Sequence, residues 1–250
     1  MLLGLMVFFS QLSAFFENSV GPLCERMWGL QVKGGVAPTY YSKSDHIELT
    51  IPVPSTRVVS GGHPSFSKQF ATPYDLGLEI DWNLNTHIKL FLEGGCNRAR
   101  GKTFHATLLE PVPSELNFVY TKNYEAYNAY VGARCYFSTC CNILAPFIGA
   151  KIGYLYQKHG FTDAYVFGVL LPNLDFSRSK NGISGGLQLG LEWWLKENLS
   201  LVFTGEVVIS QGLDTAYNID VDNAVLTQIA YKSNGMLISH PLTLGIRFGF

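Results

Sequence analysis

The sequence predicts an all-β fold: a closed, antiparallel, up-and-down transmembrane β-barrel of about eight strands. Three observations predict it. Apolar side chains recur at every second position in about eight separate segments, which is the period of a strand and not of a helix. The connections between these segments alternate between tight turns and stretches of about twenty residues or more. Tryptophans gather at one end of the segments and tyrosines at the other.

Composition points the same way. Charged residues make up 15% of the 250 residues, against about 25% in an ordinary soluble domain, while aromatic residues reach 14% and glycine supplies 25 positions. A net charge of -1 with no basic cluster argues against nucleic acid as a partner. The first residues, LLGLMVFFSQLSAFF, are too short for a spanning helix and suit the apolar core of a secretory signal. Residues 1–20 are therefore expected to be a signal peptide and residues 21–250 a single barrel domain. The five cysteines (Cys24, Cys96, Cys135, Cys140 and Cys141) have no zinc-site spacing. An odd number leaves at least one thiol unpaired within the chain, and Cys24 could bridge to Cys140 or Cys141 in an oxidising compartment.

The segments can be taken in order. The first runs from Trp28 to about Tyr41, with Leu30, Val32, Gly34, Val36 and Tyr40 on one face and Gln31, Lys33 and Thr39 on the other. The second sets Tyr74, Leu76, Leu78, Ile80 and Trp82 against Asp75, Glu79 and Asp81. In the third, Ile88, Leu90 and Leu92 oppose Lys89, Phe91 and Glu93, with Phe91 the one interruption of the polar side. The fourth opposes Ala129, Val131, Ala133, Cys135 and Phe137 to Asn128, Tyr130, Arg134 and Tyr136. The fifth, APFIGAKIGYLY, places Ile148, Ile152 and Tyr154 opposite Phe147 and Lys151. The sixth, GGLQLGLEWWL, opposes Leu187, Leu189, Leu191 and Trp193 to Gln188, Glu192 and Trp194. The seventh opposes Leu201, Phe203, Val207 and Ile209 to Ser200, Thr204 and Glu206, and PLTLGIRFGF is the eighth. Each is close to the ten residues that cross a bilayer as a tilted strand.

Short turns follow the second, fourth and sixth segments and long connections follow the first, third, fifth and seventh. That asymmetry is expected of a barrel with short periplasmic turns and long extracellular loops. Trp28, Trp82 and Trp193 would form one aromatic girdle and Tyr40, Tyr74 and Tyr154 the other, with Tyr124, Tyr127 and Tyr156 also at the long-loop ends. The apolar face carries no Lys, Arg, Asp or Glu in the central part of any segment. The polar face collects Lys33, Lys89, Arg134, Lys151 and Arg247 with Asp75, Glu79, Asp81, Glu93, Glu192 and Glu206. In so narrow a lumen these charges need one another, and a plugged interior is expected. Across the turn after the second segment, Lys89 falls opposite Glu79 or Asp81. The runs HIELTIPV at 46–53 and AYVFGVLL at 164–171 are strand extensions above the membrane or further spanning hairpins, which would raise the count to ten or twelve.

NAYVGARCYF, APFIGAKIGYLY and GGLQLGLEWWLKENLSLVFTGEV resemble strands of small bacterial outer-membrane barrels of the OmpA transmembrane-domain and OmpX type. GIRFGF is similar to the terminal strand that addresses such chains to periplasmic chaperones and the barrel-assembly machinery. The resemblance implies that role for Leu244, Ile246, Phe248 and Phe250. It also implies outer-membrane location, contact with outer-membrane lipid and lipopolysaccharide, and a monomer. The expected function is that of a structural or adhesive surface protein whose loops meet a host or surface ligand; the alternative is a small porin-like channel. A soluble ligand-binding barrel is the third reading, and solubility without detergent would favour it.

The six histidines have no metal-binding spacing, and no catalytic or nucleotide motif is present, so neither enzyme activity nor a cofactor is expected. Ser239 and His240 are adjacent in a strand and so face opposite sides. The two faces also predict that Leu189→Arg disturbs membrane assembly more than Gln188→Arg.

Overall fold

In the computed structural model the residues described are 28–41, 46–51, 57–61, 66–107, 115–119, 123–137, 143–158, 160–166, 169–177, 180–211, 215–220, 228–233 and 236–250. The expected signal segment and Cys24, Cys140 and Cys141 lie outside them.

Eight strands build the barrel: β1 (Trp28–Val36), β2 (Tyr74–Asn83), β3 (Ile88–Ala99), β4 (Tyr124–Tyr136), β5 (Leu144–Gln157), β6 (Lys180–Lys196), β7 (Leu199–Ser210) and β8 (Leu242–Gly249). Each pairs antiparallel with its neighbours in the chain, and β8 returns to β1, with Leu30 opposite Phe248 and Val32 opposite Ile246. Paired backbone bonds between Trp28 and Phe250, of 3.3 and 3.0 Å, complete that seam. Closure leaves the barrel without an edge, so every ladder N–H and C=O has a neighbouring strand, as a bilayer demands.

The faces are inverted relative to a soluble protein. Val131, Ile152 and Leu187 are 58%, 60% and 64% exposed, whereas Glu79, Lys89 and Glu192 are fully buried. A soluble domain would reverse that assignment, because apolar surface on this scale is unfavourable in water. Facing hydrocarbon, the same surface costs nothing. Where Gly34 and Gly205 carry no side chain, an open apolar groove of about 600 Å³ notches the outer wall between Val36, Leu189, Phe203, Leu242 and Leu244.

Tight connections are locally encoded. After β2 the side chain of Asn85 accepts hydrogen bonds from the amides of His87 and Ile88, both 2.8 Å, while the Leu84 amide donates to the Ile88 carbonyl. This is the Asx-type closure that favours asparagine in turns. β6 and β7 are joined through Glu197 and Asn198, with a register irregularity between Trp194 and Lys196.

The long connections carry strands of their own. Leu237–Ser239 pairs with β7 and with Thr39–Tyr41, extending one side of the barrel. His46–Ile51, Arg57–Gly61, Thr215–Asp220 and Gln228–Ser233 form one separate four-stranded sheet. Thr103–Thr107, Glu115–Val119, Gly160–Val166 and Val169–Ser177 form a second. Both ambiguous sequence runs fall in these sheets, the second as a hairpin pairing Val166 with Val169. Neither joins the barrel, so the count of ten or twelve gives way to eight.

Candidate functional site: a charged lumen beneath an apolar cap

All eleven charged residues assigned to the lumen from alternation are buried inside it, and three groups of contacts take in ten of them, Asp75 aside, together with their polar partners. Nearest the tight turns, Arg247 on β8 makes two parallel bonds to Asp81 on β2, of 2.7 and 2.6 Å. Lys89 on β3 reaches across to Glu192 on β6 at 2.8 Å, and Glu192 also accepts from the hydroxyls of Tyr136 and Ser200. The expected partner Asp81 lies 4.0 Å from Lys89. Glu79 does not pair with it at all, because the register sets Lys89 opposite Asn83.

At mid-height Glu79 meets Arg134 on β4 through two 2.6 Å bonds. The guanidinium lies over the rings of Phe91 and Phe147, 4.6 and 4.9 Å from their centroids. Glycine makes this arrangement possible. Phe91 is the register partner of Gly132 and Phe147 of Gly190, and a Cβ on either glycine would overlap the ring. The one apolar interruption of the polar face is therefore half of an aromatic clamp on Arg134.

Toward the long connections, Lys33 on β1 and Lys151 on β5 share Glu93 on β3 and Glu206 on β7. Lys33 lies 2.7 Å from Glu93 and 3.5 Å from Glu206, and Lys151 lies 3.0 Å from Glu93 and also contacts Glu206. This ring solves a local problem. Glu79 and Glu93 are direct cross-strand neighbours, a like-charge pair that would be destabilising alone. Arg134 neutralises one and the two lysines the other.

Above the ring, Tyr130 Oη lies 2.9 Å from Ser184 Oγ, which lies 2.8 Å from Ser210 Oγ. Polar filling then stops at an apolar cap. The single helical turn Phe66–Gln69, α1, from the connection between β1 and β2, seats Phe66 against Tyr124, Ala126, Leu155 and Leu237, with Phe70 beside it. The Phe66 and Tyr124 rings meet edge to face at 5.1 Å. Backbone bonds of 2.8 Å from Ala71 to Arg100 and from Lys102 to Gln69 tie this turn to the chain beyond β3. Sequence reasoning missed the cap, since one aromatic in HPSFSKQF carries no periodic signal. Phe66→Ala is expected to unseat it. Hydrogen exchange at the Ala71 and Lys102 amides then speeds up by at least about tenfold, while the amides of β1–β8 keep their protection.

The girdle residues divide. Trp28 and Trp82 stack on the outer wall at 5.9 Å, and Trp193 is exposed at the same tight-turn end. Trp194 faces inward under Arg247, 5.3 Å from its ring. Tyr74, Tyr154 and Tyr40 point outward at the opposite end, with Tyr40 stacked on His240. Tyr124, counted with them from its position in the sequence, belongs to the cap instead. Leu244, Ile246, Phe248 and Phe250 project outward along β8 and at its end. The described residues hold no group of three or more His, Cys, Asp or Glu arranged to bind a metal.

Apolar outside and ion-paired inside, the eight strands define a membrane-spanning β-barrel with a filled lumen. No protein-family model matches the sequence, and no curated protein matches it significantly. Solved structures similar to it include Neisserial surface protein A, at 12% identity and TM-score 0.45, covering 89% of this chain and 97% of that one. The outer membrane protein OprG from Pseudomonas aeruginosa is similar at 15% identity and TM-score 0.46, covering 90% and 98%. Ail, the attachment invasion locus protein of Yersinia pestis, is similar at 12% and 0.34, covering 87% and 99%.

Proposed function

We propose that this chain is an integral barrel of a bacterial outer membrane, a structural and adhesive surface protein that displays its long connections and does not conduct. The observation that carries this reading is the lumen, where the ten charges pair with one another and Phe66 caps the mouth. A solute would have to break several buried ion pairs to pass, each costly once separated. The protein reconstituted in a planar bilayer should give no discrete conductance steps, and regular single-channel openings would overturn the plugged lumen. Replacing the connection between β3 and β4 by a short turn should leave a heat-modifiable barrel while cells displaying it lose attachment to host cells. Unchanged attachment would count against that connection as the adhesive surface.

A small channel is the second reading, and one observation favours it. Both side-chain polar atoms of Gln31 and the hydroxyls of Thr204 and Thr243 are buried on the β1, β7 and β8 wall without a protein partner. Water is the natural partner for such groups, and a file of waters is where conduction would begin. The same bilayer recording decides between the two.

A further inference from the structure

The outer wall of β3, β4 and β5 is built differently from the rest of the barrel at its long-connection end. Register places Tyr74, Arg98 and Glu125 side by side on three strands, and the amide of Lys158, just beyond β5, bonds to the Glu125 carbonyl at 2.9 Å. Arg98 and Lys158 are 62% and 55% exposed along their side chains, and both lean on the Glu125 carboxylate, at 3.3 and 3.1 Å. That hydrogen bond and charge hold the Lys158 ammonium above the ordinary lysine value. Arg100, two residues beyond Arg98 on the same side, is also exposed.

Directly beneath this row, Tyr127 and Tyr156 stack with centroids 6.3 Å apart, and beneath them come Tyr154, Val131 and Ile152. The wall thus passes from hydrocarbon-facing residues through an aromatic layer to three cations opposed by one carboxylate. The outward positions at the same end of the other strands are Val36, Tyr40, Asn181, Ile209, Gln211, His240 and Leu242, with no lysine or arginine among them. Among the described outward positions at this end, the positive charge therefore lies on the β3–β5 side.

We propose that Arg98, Arg100 and Lys158 form a site for the phosphorylated headgroup of a membrane lipid of the lipid A class, whose acyl chains lie along the β3–β5 wall. Guanidinium and ammonium groups at a membrane surface are attracted to anionic headgroups, and arginine matches phosphate oxygens with two donors at once. The aromatic layer supports the aliphatic stems so that the charged heads reach headgroup level. Glu125 positions Arg98 and Lys158 and keeps the patch from being uniformly cationic. The site rests on the proposed membrane reading, with the long connections on the outer side.

The test uses the full chain folded into neutral phosphatidylcholine vesicles and challenged with bis-phosphorylated lipid A or its dephosphorylated form, retained lipid being counted by native mass spectrometry. The wild type should keep the phosphorylated lipid preferentially. The triple variant Arg98→Ala/Arg100→Ala/Lys158→Ala should lose at least about tenfold of that preference. Arg98→Lys/Arg100→Lys should retain most of it, and Lys196→Ala at the tight-turn end should change nothing. A gel shift on heating reports folding for each variant. Wild type that fails to enter the vesicles overturns the membrane reading and the site together. Folded wild type that holds both lipids equally, or a triple variant that binds as wild type does, overturns the site alone.

Discussion

Replacing Arg134 by methionine is expected to cost the folded barrel about 3–5 kcal/mol, the penalty for removing one partner of a buried ion pair. Glu79 is fully buried, and its two short bonds come from Arg134. Its cross-strand neighbour is Glu93, so the uncompensated carboxylate would sit beside a second one. Methionine keeps much of the volume between Phe91 and Phe147, which separates loss of charge from loss of packing. The measurement is equilibrium urea unfolding in lipid vesicles. The double variant Arg134→Met/Glu79→Gln should recover at least half of the loss, since neither buried charge then lacks a partner. If the double variant is as unstable as the single one, Arg134 contributes through packing and the electrostatic account of the lumen fails.

Leu189→Arg is expected to cost about 2–4 kcal/mol in a bilayer, because a guanidinium on the lipid face has no water or counter-charge at that depth. Leu189 points outward at 61% exposure, in the middle of the long strand β6. Alternation alone makes Gln188→Arg the milder change, and the lumen alters that expectation. Gln188 accepts from Arg134 Nε at 3.2 Å and donates to Glu206 at 3.0 Å, so an arginine there would face another guanidinium. Thr243→Lys is the better luminal control: the Thr243 hydroxyl has no protein partner, and Asp75 lies across the side-chain-free Gly35 in the same register row. It should cost less than Leu189→Arg, because its ammonium would have the Asp75 carboxylate as a counter-charge. Equal losses for Leu189→Arg and Thr243→Lys would undo the assignment of faces.

What could be read from residues and what could not separates along a physical line. Alternation is a local property with a period of two, so the sequence alone determined which side chains face the lumen and which the lipid. Ten of the charges it put on the polar face lie buried beside a partner in the lumen. It also placed the tight turns, where Asn85 closes its own loop, and the two-sidedness of Trp28, Trp82 and Trp193 against Tyr40, Tyr74 and Tyr154. Pairing within the lumen depends instead on register and on the distance across a closed barrel. Lys89 therefore reaches Glu192, 103 residues away, in preference to the acids just across its own turn. Trp194 points inward, on the face where alternation put it, with Arg247 over its ring, whereas Tyr124, counted among the outward tyrosines, packs on Phe66. The cap and the two outer sheets were decided by tertiary structure alone. A run such as HIELTIPV alternates equally well whether its neighbour is a barrel strand or another connection, and only the hydrogen-bond partner it finds distinguishes the two.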